Sequence, residues 1–110
     1  MSTRASIHFQ SDGSDVAIVY RHSDGYPEGL GEDLKAFFAE VRIQCGHDTR
    51  FNDPSYLAAK WIVWDAKQHG EGLKFLSVGV LLEDPSDIAY RYILACDDDQ
   101  EPKVKIETAR

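Results

Sequence analysis

His22 and Asp24 stand two residues apart inside the run Tyr20-Arg21-His22-Ser23-Asp24-Gly25-Tyr26-Pro27-Glu28-Gly29-Leu30-Gly31. An imidazole and a carboxylate can exchange protons with a substrate, so the pair is a candidate general acid and base. Arg21 beside them offers a planar cation that suits an anion, and Tyr26 adds a phenol. Gly25 can take the positive φ that a sharp exit from a strand requires. Pro27 fixes its own φ and holds Tyr26 extended. Gly29 and Gly31 then allow close backbone approach just ahead of a helix start, where free N–H groups can hold an anion. The glycine spacing is neither a P-loop nor a dinucleotide fingerprint, since no Gly-Lys-Ser/Thr ends it. The competing reading is a rigid turn in which Asp24 caps local N–H groups and Tyr26 packs on a sheet.

More residues join this corner if the first two strands pair as a hairpin with Ile7 opposite Ile18. Arg4 then faces Arg21 and Thr3 faces His22. Two arginines directly opposite repel and call for a carboxylate or an anion between them. Asp24 and Glu28 are the nearest carboxylates in sequence. The expected cluster is Arg4, Arg21, His22, Asp24 and Tyr26, and a one-residue slip in register would break it apart.

Other chemistries find less material. No Ser or Cys sits in a nucleophile elbow or a recognisable Cys–His context. His22 and Asp24 with the distant His8 form a pattern too unspecific to imply a metal, and His47-Asp48 is equally ambiguous. Asp97-Asp98-Asp99 with Glu101 lacks the alternation and the glycine of a calcium loop and reads as a solvated turn. No residue set implies a cofactor.

The chain has 110 residues, 43% of them hydrophobic and 28% charged, which fits one soluble domain over residues 1–110 with a core that needs no staple. Cys45 and Cys96 are far apart and outside any CxxC, so they are expected as free thiols, Cys96 as a small core or rim residue. No apolar run is long enough to span a membrane, and no basic region followed by an apolar stretch opens the chain. The expected location is the cytoplasm. A net charge of −7 disfavours direct nucleic-acid binding and favours docking on a basic protein surface.

The elements that must position the corner follow from periodicity. Met1 to Phe9 and Val16 to His22 read as strands around a turn at Gln10 to Asp15. Val16, Ile18 and Tyr20 face one way, and Ala17 and Val19 the other. A helix over residues 31–43 carries the apolar stripe Leu30, Leu34, Phe37, Phe38, Val41. Asp53-Pro54 starts a second helix through Gln68, with Leu57, Trp61 and Trp64 on one face. Phe75 to Leu82, Ile88 to Cys96 and Lys103 to Glu107 are three more strands. Val104 and Ile106 point inward, and Lys103, Lys105 and Glu107 protect an edge. The order ββααβββ predicts an α+β domain, a mainly antiparallel sheet of about five strands with two helices on one face.

Three pieces together, Ser2-Thr3-Arg4, Asp24-Gly25-Tyr26-Pro27 with Glu28-Gly29, and Asp87-Ile88-Ala89-Tyr90-Arg91-Tyr92, resemble a group of small phage, prophage and bacterial proteins of unknown function. Those proteins open with Gly/Ser-Thr-Arg and carry an aromatic residue before Asp-Gly-Tyr-Pro, where this chain has Ser23. In their late Asp-Ile-Glu-Tyr strand this chain has Ala89 for the acid. The resemblance implies no activity, but it implies that Arg4, Asp24, Tyr26 and Tyr90 share one locus. The functional expectation is a small phage- or mobile-element-related binding protein that meets a host protein or a small anionic ligand at Arg4, Arg21, His22, Asp24, Gly25, Tyr26 and Tyr90. The alternatives are a small hydrolytic or nucleotide-processing enzyme using His22 and Asp24, and an acidic inhibitor that mimics nucleic acid.

Overall fold

The computed structural model describes residues 2–109. Its order is β1 (Ala5–Ser11), β2 (Ser14–Arg21), one wide turn at Pro27–Gly31, α1 (Glu32–Cys45), α2 (Pro54–His69), β3 (Val78–Leu81), β4 (Tyr90–Ala95) and β5 (Lys103–Thr108). The fold is α+β, with five strands in the order β3-β2-β1-β4-β5. Met1, at the start of the expected first strand, lies outside the described residues.

The β1–β2 hairpin turns on Asp12-Gly13, both at positive φ (53° and 77°). That is the backbone an Asp-Gly pair favours between two twisted strands. Next to the turn Ser11 pairs with Ser14 and Gln10 with Asp15, and then the register shifts between Phe9 and Gln10. Val16 is the extra residue. Beyond it Phe9 faces Ala17, Ile7 faces Val19 and Ala5 faces Arg21. The expected pairing of Ile7 with Ile18 therefore fails, and with it Arg4 opposite Arg21. The turn starts the strands in the expected register, and the bulge moves them by one residue. Ile7 and Phe9 thereby meet Ala17 and Val19 on one buried face.

The sheet is mixed. β1 pairs antiparallel with β2 but parallel with β4, while β2–β3 and β4–β5 are antiparallel. The parallel pair was not anticipated. With the strand order it makes the connection from β3 to β4, residues 82–89, a crossover past β2 and β1, and contacts of Asp84 with Ser6 and His8 place it on the face away from the helices.

The other face carries the core. Ala5, Ile7, Phe9, Val19, Tyr92 and Leu94 meet Leu34, Phe37, Phe38 and Val41 of α1, Leu57, Ala58 and Trp61 of α2, and Phe51 between the helices. The stripe expected on α2 is core at Leu57 and Trp61, with Trp64 half-buried against it: Trp61 packs edge-on to Phe37 at 5.3 Å between centroids and stacks with Trp64 at 5.4 Å. Such pairs add about 0.5–1.5 kcal/mol beyond area burial. Asp53 accepts a hydrogen bond from the Tyr56 N–H at 3.3 Å and caps α2, as its sequence implies. Both cysteines are free and Cys96 is buried. Its burial pushes the thiol pKa up to about 11, which makes it a small apolar core group. Val104 and Ile106 do lie on the helix side, opposite Leu94 and Tyr92, yet they are 37% and 43% exposed because β5 is an edge strand.

Candidate functional site

The Asp24–Gly31 segment is built by backbone contact. Asp24 sits at φ 55°, a left-handed conformation that Asp tolerates better than most residues. Its carbonyl accepts the Leu30 N–H at 2.8 Å. The Gly25 N–H donates to Thr3 O at 2.9 Å, and the Tyr92 hydroxyl donates to Gly25 O at 2.7 Å. Burial of Tyr92 pushes its phenol pKa upward, so it stays a donor at neutral pH. A Cβ on Gly25 would lie 2.7 Å from Ala5 Cβ and 2.8 Å from Thr3 O. The Asp-Gly-Tyr-Pro motif thus presses the turn onto the start of β1, and the glycine is the residue that lets it.

Backbone contacts bring the Thr3–Arg4 segment against Gly25 and Tyr90, since Thr3 O accepts the Gly25 N–H and Arg4 O accepts the Ala89 and Tyr90 N–H groups, but the candidate side chains diverge. Arg4 Nη1 donates to Asp87 Oδ2 at 2.6 Å, and both side chains are exposed. Tyr90 lies opposite Ala5, packed against the core. Tyr26 donates to Asp24 Oδ1 at a long 3.4 Å. The exposed His22 turns its Nδ1 to the Tyr20 hydroxyl at 2.9 Å, and its backbone N–H donates to Ser77 O at 2.8 Å. Among the described residues His22 and Asp24 share no hydrogen bond. The acid–base pair read from their spacing is not assembled in this conformation.

Arg21 goes elsewhere. The bulge puts it on the helix face, fully buried, with Nη2 donating to Asp33 Oδ2 at 2.9 Å and Nη1 3.0 Å from Asp65 Oδ2. His69 Nε2 lies 2.9 Å from the same Asp33 oxygen. The guanidinium carbon stands 6.0 Å from the Trp61 ring centre, in reach of a cation–π contact. Burial holds the Asp65 pKa above the ordinary carboxylate value, against the pull of Arg21 and His69. Among the described residues, both Asp65 carboxylate oxygens, Arg21 Nε and Nη1, and Trp61 Nε1 lack an aligned hydrogen-bond partner. The Arg21–Asp65 contact is therefore mainly Coulombic. The sequence carried a sign of it: Leu57, Trp61 and Asp65 recur every four residues, which places a carboxylate on the apolar stripe of α2.

The opposite face holds a polar cluster that sequence reasoning missed. Ser6 and His8 project from β1 beneath the 82–89 crossing. Ser6 Oγ is 3.1 Å from His8 Nε2, and His8 Nδ1 is 3.0 Å from Asp15 Oδ1. That line-up has the order of a serine nucleophile relay. Asp84 overrides it. Its Oδ1 accepts from Ser6 Oγ at 2.8 Å and lies 3.0 Å from His8 Nε2, while its Oδ2 accepts two N–H groups of Arg91, the Nε one at 2.6 Å. A carboxylate beside a buried hydroxyl would repel the oxyanion of acyl transfer. The cluster is a clamp that pins the crossing to the sheet. The Ser6-x-His8 alternation was visible, but nothing local shows that Glu83–Asp87 crosses above it.

Asp84 also gives the clamp a pH dependence. Burial raises its pKa, but hydrogen bonds from Arg91, Ser6 and His8 outweigh that and hold it below the ordinary carboxylate value. A depressed carboxylate contributes stability above its unfolded pKa and loses it as pH falls through the folded one. Asp84→Asn is expected to lower stability at pH 7 by about 1–3 kcal/mol. The gap to wild type should narrow below about pH 3.9, the ordinary aspartate value. Urea unfolding at neutral and acid pH measures both, and a pH-independent gap would refute the clamp.

Among the described residues no group of three or more His, Cys, Asp or Glu is placed to hold a metal ion. No family model, curated protein or solved structure matches the chain. Function has to be read from the surfaces themselves.

One surface stands out beside the corner. Ser23 Oγ lies 3.5 Å from Ser77 Oγ at the entrance to β3, and apolar side chains project on both sides of that strand. Leu73 is 99% exposed, Phe75 44%, Leu76 45%, Val80 73% and Leu82 102%. The two sheet edges differ sharply. β5 carries Lys103, Lys105 and Glu107, whereas β3, Val78-Gly79-Val80-Leu81, carries no charge. A groove of about 350 Å³ also runs between the outer faces of α1 and α2, lined by Phe37, Val41 and Trp64 and bordered by Glu40, Lys60 and Lys67.

Proposed function

We propose that this chain is a small protein-binding module whose partner contacts the apolar margin of β3 beside the Asp24–Tyr26 corner. The observation that carries the reading is that margin itself: five exposed large apolar side chains around an uncharged sheet edge. An edge of this kind is a template for pairing with another chain, and proteins ordinarily guard it. A small anion at the corner is less well supported, because Arg4 already faces Asp87 and Arg21 is buried between Asp33 and Asp65. Catalysis by His22 and Asp24 has no assembled pair behind it. The nucleic-acid-mimic reading needs carboxylates spread along a face. Here the Asp12 N–H donates to Asp97 Oδ1 at 2.8 Å, which gathers the Asp97–Asp99 turn against the hairpin tip at one end of the sheet.

Leu73→Asp and Leu82→Asp test the reading, since both side chains are fully exposed. Each is expected to leave stability within about 0.5 kcal/mol of wild type. Each should weaken retention of the protein partner by about tenfold or more, equivalent to about 1.4 kcal/mol. The assay is quantitative affinity capture with wild type and both variants as bait. Equal retention by all three would remove the β3 margin as the binding surface.

A further inference from the structure

We propose that the partner fitted by the β3 margin is a second copy of this chain, joined edge to edge so that the two sheets form one. The proposal rests on the protein-binding reading above and adds the identity and geometry of the partner.

Backbone comes first. β3 is hydrogen-bonded to β2 along one side and closes the sheet on the other. The outward N–H and C=O groups of an edge strand are satisfied best by another strand. Two copies of one edge can meet antiparallel about a twofold axis, the usual symmetry of dimers.

The side chains allow a specific register. Val78 and Val80 are the partners of Arg21 and Val19 and so share the helix face, while Gly79 and Leu81 share the other. Cross-strand neighbours must lie on the same face. Gly79 opposite Gly79 of the second copy meets this condition and sets Val78 opposite Val80 twice. A Cβ on Gly79 would meet nothing within 4 Å, so the axis is open for close approach.

The flanks are also complementary under this operation. Antiparallel pairing brings residues preceding β3 in one copy towards residues following β3 in the other. Leu76 and Phe75 approach Leu82, which gives the exposed apolar side chains mutual cover. Lys74 approaches the exposed Glu83, a matched charge repeated by symmetry, while Asp84 stays on Ser6, His8 and Arg91. A second copy supplies both matches from the same stretch, residues 74–83, whereas a foreign strand would have to be made for them. The net charge of −7 on each chain opposes association at long range. Salt near 0.15 M shortens that repulsion to about 8 Å, so the dimer should strengthen from low to physiological ionic strength.

Two measurements test it. Sedimentation velocity on wild type should show mass rising from monomer toward dimer with concentration, and more so at about 0.15 M salt than at about 0.01 M. Val80→Lys, which gives β3 the kind of guard β5 has, should remain folded and monomeric. In a Cys45→Ser background, Gly79→Cys should form a reducible cross-linked dimer under mild oxidation at least about tenfold faster than the exposed control Ser55→Cys, because opposed Cα atoms in an antiparallel pair fall within disulfide range. Val80→Lys should suppress that cross-link. A monomer at all concentrations, or a dimer indifferent to Val80→Lys with no preferential cross-link at position 79, overturns the self-pairing. If self-pairing fails while Leu73→Asp and Leu82→Asp still release a different captured protein, the protein-binding reading survives with a foreign partner. If those variants release nothing, both readings fall.

Discussion

Arg21→Met by itself is expected to lower stability by about 3–5 kcal/mol, the cost of leaving one member of a buried ion pair uncompensated. Arg21→Met combined with Asp65→Leu should recover most of that loss. The contrast follows from geometry: Arg21 and Asp65 are both buried, 3.0 Å apart, and both carboxylate oxygens lack an aligned donor among the described residues. Removing the cation strands the buried Asp65 carboxylate, whereas removing both charges leaves apolar groups against Trp61 and the more exposed Asp33 still in contact with His69. The pH dependence has a definite sign. A carboxylate whose folded pKa is raised binds its proton more tightly in the native state, so its contribution is greatest below its unfolded pKa and is lost as pH rises through the folded value. Burial already raises the Asp65 pKa in wild type, and losing Arg21 removes the main force opposing that rise. The Arg21→Met deficit should therefore grow from about pH 4, the unfolded aspartate range, toward neutrality. The double variant should lack this slope. Urea unfolding of the four members of the cycle from pH 4 to 8 reads both effects. An additive double variant would mean that the pair is not energetically coupled.

Gly25→Ala and Gly29→Ala should be nearly as costly, at about 3 kcal/mol each. That corresponds to a fall in Tm of roughly 10–20 °C for a domain of this size. A Cβ at position 25 would collide with Ala5 Cβ and Thr3 O, and one at position 29 would come within 2.5 Å of Asp24 O. The obstructing atoms are mostly backbone and cannot rotate away. Gly79→Ala is the matched control, because a Cβ there meets nothing, and it should change Tm by no more than a few degrees. Thermal melts of the three variants make the comparison. Were Gly25→Ala as benign as Gly79→Ala, the corner would not be pressed against β1 as described. A large loss would identify Asp-Gly-Tyr-Pro as a folding motif that aligns the entrance to β3 and the start of α1.

Much of the architecture is local and was legible in the residues. Asp12-Gly13 specifies its hairpin turn, Asp53-Pro54 starts α2, and the spacing of Leu34, Phe37, Phe38 and Val41 selects the buried face of α1. These are free energies of a few neighbouring residues, and sequence states them directly. The α+β class and the order ββααβββ follow. The tight turn was also visible, but its positive φ falls on Asp24 and not on Gly25, whose role is the close approach to Thr3 and Ala5.

Tertiary structure decided what faces what. One extra residue, Val16, shifts the β1–β2 register and sends Arg21 to the helix side while Arg4 pairs with Asp87 in the crossing loop. A bulge leaves little local mark, because its cost is offset by packing on both faces of two strands at once. The parallel pairing of β1 with β4 is likewise a contact between strands far apart in sequence. It carries Asp84 over Ser6 and His8 and assembles a clamp from residues 76 and 78 positions apart. It also leaves β3 at an edge, so that Val80, Leu82 and the neighbouring Leu73 face solvent instead of a core. Alternation along a strand tells which side chains share a face; only the folded sheet tells whether that face, or that edge, is covered.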